Sequence, residues 1–172
     1  MNFKGRLILL LCAGCCLSTS TWAQTSPAAV VTAFYSDWLK SVQARPPTPS
    51  SQAFAAERSR FDPVLFQRVT RTFQRAEKTK TEVAGYDEDP FFNTQDEVAA
   101  FRLGTVTRHD ATASVPVYAV DVRGGKPRLA VTVKLARSDN GSWRITDVRY
   151  PGSSGSDSSL RAWSRQLITP AK

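Results

Sequence analysis

The sequence predicts an α+β domain in which N-terminal helices pack on a curved antiparallel sheet of about four strands, with a short C-terminal helix. Apolar residues recur at helical spacing from Val30 to Phe73. From Glu97 onward the period changes to two, and turn signals separate the strands. Helices and hairpin-linked strands kept apart in this way argue for two layers, not alternating β–α units.

Each element has a local cause. Ser26 is a helix N-cap with Pro27 at the first helical position. Val30, Phe34 and Trp38, with Val31, Tyr35 and Leu39 one step round, then form an apolar stripe on a helix over 27–42. Three prolines in the four residues 46–49 end it, and 45–51 reads as an exposed, extended connection. A short helix over 51–59 follows. Asp62-Pro63 is a second cap, and Val64, Leu65, Phe66, Val69 and Phe73 line a helix to about Glu77. Arg68, Arg71, Arg75 and Lys78 cover its other face, as on a solvated helix or a binding stripe.

Phe101–Val106 and Ser114–Val122 read as strands, with a turn beginning at His109-Asp110 between them. Arg123-Gly124-Gly125-Lys126 is a hairpin turn. Leu129, Val131, Val133 and Leu135 alternate with smaller or polar residues, as on a half-buried strand. Asn140-Gly141 supplies the positive φ angles of the next turn. Trp143, Ile145, Val148 and Tyr150 form the last strand; the break in their alternation predicts a bulge near Thr146-Asp147. After a polar spacer, Leu160, Trp163 and Leu167 mark an amphipathic helix that folds back on the domain or docks on a partner or a membrane surface.

Of the 172 residues, 1–23 read as a cleavable signal peptide: Lys4 and Arg6, the apolar run Leu7–Leu17, then small residues up to Ala23. That run of 11 residues is too short to span a bilayer, which takes about 20, and no transmembrane segment is expected elsewhere. A cut after Ala23 removes Cys12, Cys15 and Cys16, leaving a mature chain without cysteine. The competing reading is a lipoprotein anchored through Cys15. Residues 24–151 then form one domain, and 152–172 the spacer and terminal helix. The net charge of +8 falls by Lys4 and Arg6 on export. It favours anionic partners in general: lipid head groups, cell-wall carboxylates or an acidic protein face. The plainer reading is a basic surface with no specific partner. Nucleic acid is not expected, because the charge is scattered and not gathered in a stripe.

Three stretches carry a resemblance: Ala29 to Leu39 (AVVTAFYSDWL), Asp87 to Asp96 (DEDPFFNTQD) and Trp143 to Val148 (WRITDV). With the element order, they resemble the nuclear-transport-factor-like (cystatin-like) superfamily, whose N-terminal helices pack in the concave face of a bent antiparallel sheet. Together they look like a bacterial exported family, domain of unknown function 3828, over most of 27–150. The resemblance implies a fold and a periplasmic setting and no activity. The insertion at 46–49 and the C-terminal helix lie outside the shared pattern.

Candidate chemistry is sparse. Asp87, Glu88, Asp89 and Asp96 with Gln95 cluster acidic groups, as a hard cation requires, but without the spacing of the twelve-residue calcium loop. Asp89-Pro90 is equally a cap signal, with Phe91 and Phe92 as anchors. His109, the single histidine, lies beside Arg108 and Asp110 in a turn and reads as a surface residue. One histidine and no mature cysteine exclude a Cys–His dyad and a multi-histidine zinc site, and no Gly-x-Ser-x-Gly elbow is present. No metal and no cofactor is expected. A concave pocket of this fold would be lined by Tyr35 and Trp38, with Tyr118, Asp121, Asp147 and Tyr150 as polar groups; core packing is the plainer role for all of them. The expected ligand-binding residues are Tyr35, Trp38, Asp89, Gln95, Asp96 and Asp147, and no catalytic residue is assigned.

Three functions fit. The first is a non-enzymatic periplasmic module binding a protein or small ligand, of the inhibitor or immunity type. The second is a cofactor-free isomerase or hydrolase using a Tyr/Asp pair in the cavity, where burial raises a carboxyl pKa toward that of a base. The third is an envelope-associated protein with a basic surface. No feature of the sequence sets the oligomeric state.

Overall fold

Helix α1 spans Pro27–Gln43 in the computed structural model, which describes residues 26–79, 88–152 and 158–166. The predicted leader, its cysteines, Asp87, Leu167 and most of the spacer lie outside the described residues. Ser26 Oγ accepts the Ala29 N–H at 3.1 Å, the cap read from the sequence. The connection that follows gives way at Ser50 to α2, Ser50–Ala55, and a 3-10 turn, Arg58–Arg60. Helix α3 spans Pro63–Thr79, and Asp62 Oδ1 accepts the Leu65 N–H at 3.0 Å as its cap.

Strands β1 (Val98–Leu103), β2 (Thr107–His109), β3 (Thr112–Asp121), β4 (Arg128–Arg137) and β5 (Trp143–Arg149) form one antiparallel sheet in the order β1-β3-β4-β5, with β2 also paired to β3. Helix α4, Leu160–Gln166, packs on α3 and β5. Helices before the sheet, one short helix after it and antiparallel pairing throughout make the α+β architecture read from the sequence.

Four local readings change. The strand expected over 101–106 starts at Val98 and breaks after Leu103, where the Gly104 N–H turns to donate to Pro116 O at 2.8 Å. A Cβ on Gly104 would lie 3.0 Å from Tyr118 Cε2 and 3.1 Å from Pro116 Cβ, so a larger residue would force these neighbours to give by a few tenths of an ångström. His109 ends β2, and the turn falls on Asp110 at φ 49° and Ala111. Leu129 points outward, 38 % exposed, because Val131 pairs with Val117 but Leu129 with Tyr118. Ala130 is the extra residue, a bulge that breaks the alternation. Val64 is also exposed; Leu65, Phe66, Val69, Thr72 and Phe73 are the buried residues of α3.

The bulge expected in β5 is present. Lys134 pairs with Asp147 and Leu135 with Ile145, leaving Thr146 as the extra residue. Such bulges bend and twist a strand. Between the layers lies a single aromatic core: Phe34, Tyr35, Trp38, Phe54, Phe61, Phe73, Phe91 and Phe92, closed by the inward aliphatic residues of β3, β4 and β5. Helix α4 folds back on the domain. Leu160, Ala162 and Ser164 are buried, and the Trp163 ring lies 5.9 Å from Phe73.

Candidate functional site

Three of the expected site residues form one network, in which Tyr35 and Trp38 are buried and Asp89 is half-buried. Tyr35 and Trp38 lie on the inner face of α1, three residues apart, so both meet the segment that begins at Asp89. The Tyr35 hydroxyl donates to Phe91 O at 3.0 Å, and Trp38 Nε1 donates to Asp89 Oδ2 at 2.9 Å. Asp89 Oδ1 accepts the N–H groups of Phe91 at 2.8 Å and Phe92 at 3.2 Å. The backbone closes the same turn, from Asp89 N to Thr94 O at 2.8 Å and from Asn93 N to Asp89 O at 2.7 Å, with Asn93 at φ 49°. The Asp-Pro signal is therefore spent on a closed turn that thrusts Phe91 and Phe92 into the core.

That insertion fills the space between α1 and the sheet with aromatic rings. The Phe91 ring packs edge-on against Phe34 and Trp38, with centroids 4.8 Å and 4.6 Å away, and stacks on Phe54 at 5.6 Å. Burial raises the Tyr35 hydroxyl well above its ordinary pKa, and the negative charge of Asp89 adds to this. Burial also raises the Asp89 carboxyl, against the opposing pull of its hydrogen bonds from Trp38, Phe91 and Phe92. Tyr150 is raised by burial, then by Asp147, Asp89 and Glu88. Aromatic rings surround these groups: Phe92 lies 5.2 Å and Phe101 5.6 Å from the Tyr35 ring.

The remaining candidates have other positions. Gln95 and Asp96 are exposed and line a surface recess of about 300 Å³ with Asp89, Gln43, Arg45, Thr94 and Glu97. Arg45 and Glu97 pair there at 3.0 Å. Asp147 belongs to a different junction. Its Oδ1 accepts the N–H groups of Val148 at 3.0 Å and Arg161 at 3.1 Å, and its Oδ2 lies 3.2 Å from Arg149 Nε. It ties the start of α4 to β5 and does not face Tyr35 across an open cavity. Tyr118 lies half-buried beside Gly104, and Asp121 faces Arg128 at 4.0 Å at the end of β3. His109 is exposed next to Asp110. Among the described residues, no group of three or more His, Cys, Asp or Glu could hold a metal ion, and no helix is long and apolar enough to cross a membrane.

Sequence reasoning missed a larger feature. A groove of about 720 Å³ opens between the 3-10 turn, the start of α3 and β5, lined by Ala56, Arg58, Ser59, Pro63, Phe66, Gln67 and Arg144. A bridge between Phe61 and Ile145, with Asp62 N donating to Ile145 O at 2.8 Å, places Arg144 on the same groove as the distant Arg58. No periodicity or spacing signals a pairing of that range.

No protein-family model matches this chain, and no curated protein does. Among solved structures, the fold is similar to a chain of the type VI native effector–immunity complex Tae3–Tai3 from Ralstonia pickettii. The TM-score is 0.55 at 21 % identity, over 77 % of this chain and 100 % of that one. At that identity the likeness is one of fold.

Proposed function

We propose that this protein is a non-enzymatic periplasmic module that binds a protein partner, of the inhibitor or immunity type. The observation that carries the reading is the filled concave side. Phe34, Phe54, Phe61, Phe73 and Phe91 pack where a cavity enzyme of this architecture would hold its substrate, and Tyr35 is bound to a backbone carbonyl inside that packing. Two recesses among the described residues are open surface grooves, a form suited to side chains of another protein. The fold shared with a chain of an effector–immunity complex supports the same reading.

The periplasmic setting rests on the signal-like segment 1–23. Kinship with domain of unknown function 3828, in the nuclear-transport-factor-like superfamily, belongs to the same proposal. Its support is that the three quoted stretches converge: Trp38 of the first holds Asp89 of the second, and Ile145 of the third closes the same core.

The test is neutralisation. Each type VI effector of the host genome is directed to the periplasm of a susceptible strain, with and without this protein. The expected result is restored growth with one effector and a stable complex of the two purified proteins. Growth unchanged across the whole set, with no complex formed, would refute the reading. The mass of the exported chain tests the setting: a start at Gln24 is expected, and an acylated start at Cys15 would replace soluble export with a lipid anchor.

A further inference from the structure

We infer that the groove between the Arg58–Arg60 turn, the first turns of α3 and β5 receives an acidic side chain of a protein partner, held by Arg144 and Arg58. The inference rests on the protein-binding reading above and names the chemistry of the partner.

The charge of the groove is one-sided. Two arginines line it and no acidic residue does. Neighbouring arginines are already matched: Arg60 by Glu57 and Asp37, Arg149 by Asp147, and Arg161 by Thr146 O and Asp62. No such pair forms at Arg58 or Arg144 among the described residues.

Arg144 also carries an unmet donor. Its Nε is shielded from solvent and has no acceptor among the described residues. A buried N–H of a charged group left in that state is costly, and a carboxylate held at the same guanidinium offsets that cost through its charge. The planar guanidinium fork takes a carboxylate by two parallel bonds, which fixes direction as well as charge.

The rest of the lining favours a peptide over a free ion. Phe66, Pro63 and Ala56 offer apolar surface to an aliphatic stem, and Ser59 and Gln67 offer polar groups to a peptide backbone. A volume of about 720 Å³ is far more than a lone carboxylate occupies and falls within the range of binding clefts, about 300–1,000 Å³.

The experiment is an NMR titration of the full chain with a capped twelve-residue peptide alternating Glu and Leu. A Gln/Leu peptide and inorganic phosphate are the comparison probes. The Arg144 Nε–H resonance is expected to shift saturably with the Glu/Leu peptide and to stay in place with the Gln/Leu peptide. Gln67→Glu places a competing carboxylate in the groove from an exposed helix position, where folding is not at risk. It is expected to weaken the peptide by on the order of tenfold or more, the scale of one charged hydrogen bond. Arg144→Gln is expected to abolish saturation at Ser59 and Gln67.

Equal response to the Gln/Leu peptide, tighter saturation by phosphate, or unchanged affinity in Gln67→Glu would each overturn the inference. Its failure is distinguishable from that of the immunity role. An effector neutralised equally by wild type and Gln67→Glu removes the groove and keeps the role. Peptide binding with no effector neutralised keeps the groove and removes the role.

Discussion

Asp89→Ala tests whether the Asp89–Thr94 turn is a structural clip. Its carboxylate accepts three hydrogen bonds, at 2.8, 2.9 and 3.2 Å, from Phe91 N, Trp38 Nε1 and Phe92 N. Phe91 and Phe92 are fully buried and Trp38 is 2 % exposed, so the three donors have little access to water. Each unpaired buried donor costs about 1–3 kcal/mol. The two backbone donors share one oxygen, and alanine also relieves the burial of a charge, which offsets part of the loss. The expected net cost is roughly 3 kcal/mol for Asp89→Ala. Asp89→Asn should cost about 1 kcal/mol, because its carbonyl keeps the backbone donors while its NH₂ meets the N–H of Trp38. In urea, followed by far-UV circular dichroism, 3 kcal/mol lowers the midpoint by roughly 1.5 M at a slope of about 2 kcal/mol per M. A double-mutant cycle with Trp38→Phe should show coupling of about 1–2 kcal/mol. If Asp89→Ala stays within about 0.5 kcal/mol of wild type, as exposed Asp96→Ala should, the clip is not what holds Phe91 and Phe92 in the core.

Two further predictions follow from the same geometry. Burial raises the folded carboxyl of Asp89 above 3.8, and that of Glu57 above 4.5 against the pull of Arg60, so the folded state holds these protons more tightly than the unfolded one. Their contribution to stability is then greatest below the unfolded values and declines as pH rises through the folded ones. Urea midpoints measured upward from about pH 4 should show that decline, and Asp89→Asn should flatten it; parallel profiles for the two proteins would count against a raised Asp89. Asp147→Ala strips the acceptor that ties Val148 and Arg161 together. It should cost about 2 kcal/mol and speed tryptic cleavage at Arg161 and Arg165 in α4, whereas an unchanged cleavage rate would show that α4 is held by its apolar contacts alone.

The elements that were legible are those whose cause lies within a few residues. Ser26-Pro27 and Asp62-Pro63 mark helix starts through bonds to the next turn, and Asn140-Gly141 marks a turn through Gly141 at φ 81°. The bulge at Thr146 was legible because the spacing from Ile145 to Val148 breaks period two. The bulge at Ala130 was not, because an apolar Leu129 and a small Ala130 fit either face equally well and only the register against β3 decides which turns inward. Gly104 splits a strand for a similar reason. The break is set by Pro116 and Tyr118 across the ladder, not by its own neighbours.

Sequence alone determined the α+β class, the starts of the two long helices, the Asn140-Gly141 turn and the acidic segment that anchors Phe91 and Phe92, since capping, period and turn dihedrals act over short spans of chain. The tertiary structure decided the rest. Trp38 meets Asp89 across 51 positions, aromatic rings pack between the layers, and the Phe61–Ile145 bridge places Arg144 on the same groove as Arg58. Such contacts arise when whole layers dock, and the free energy that selects them is shared among many buried side chains, so no local stretch of sequence carries their signature.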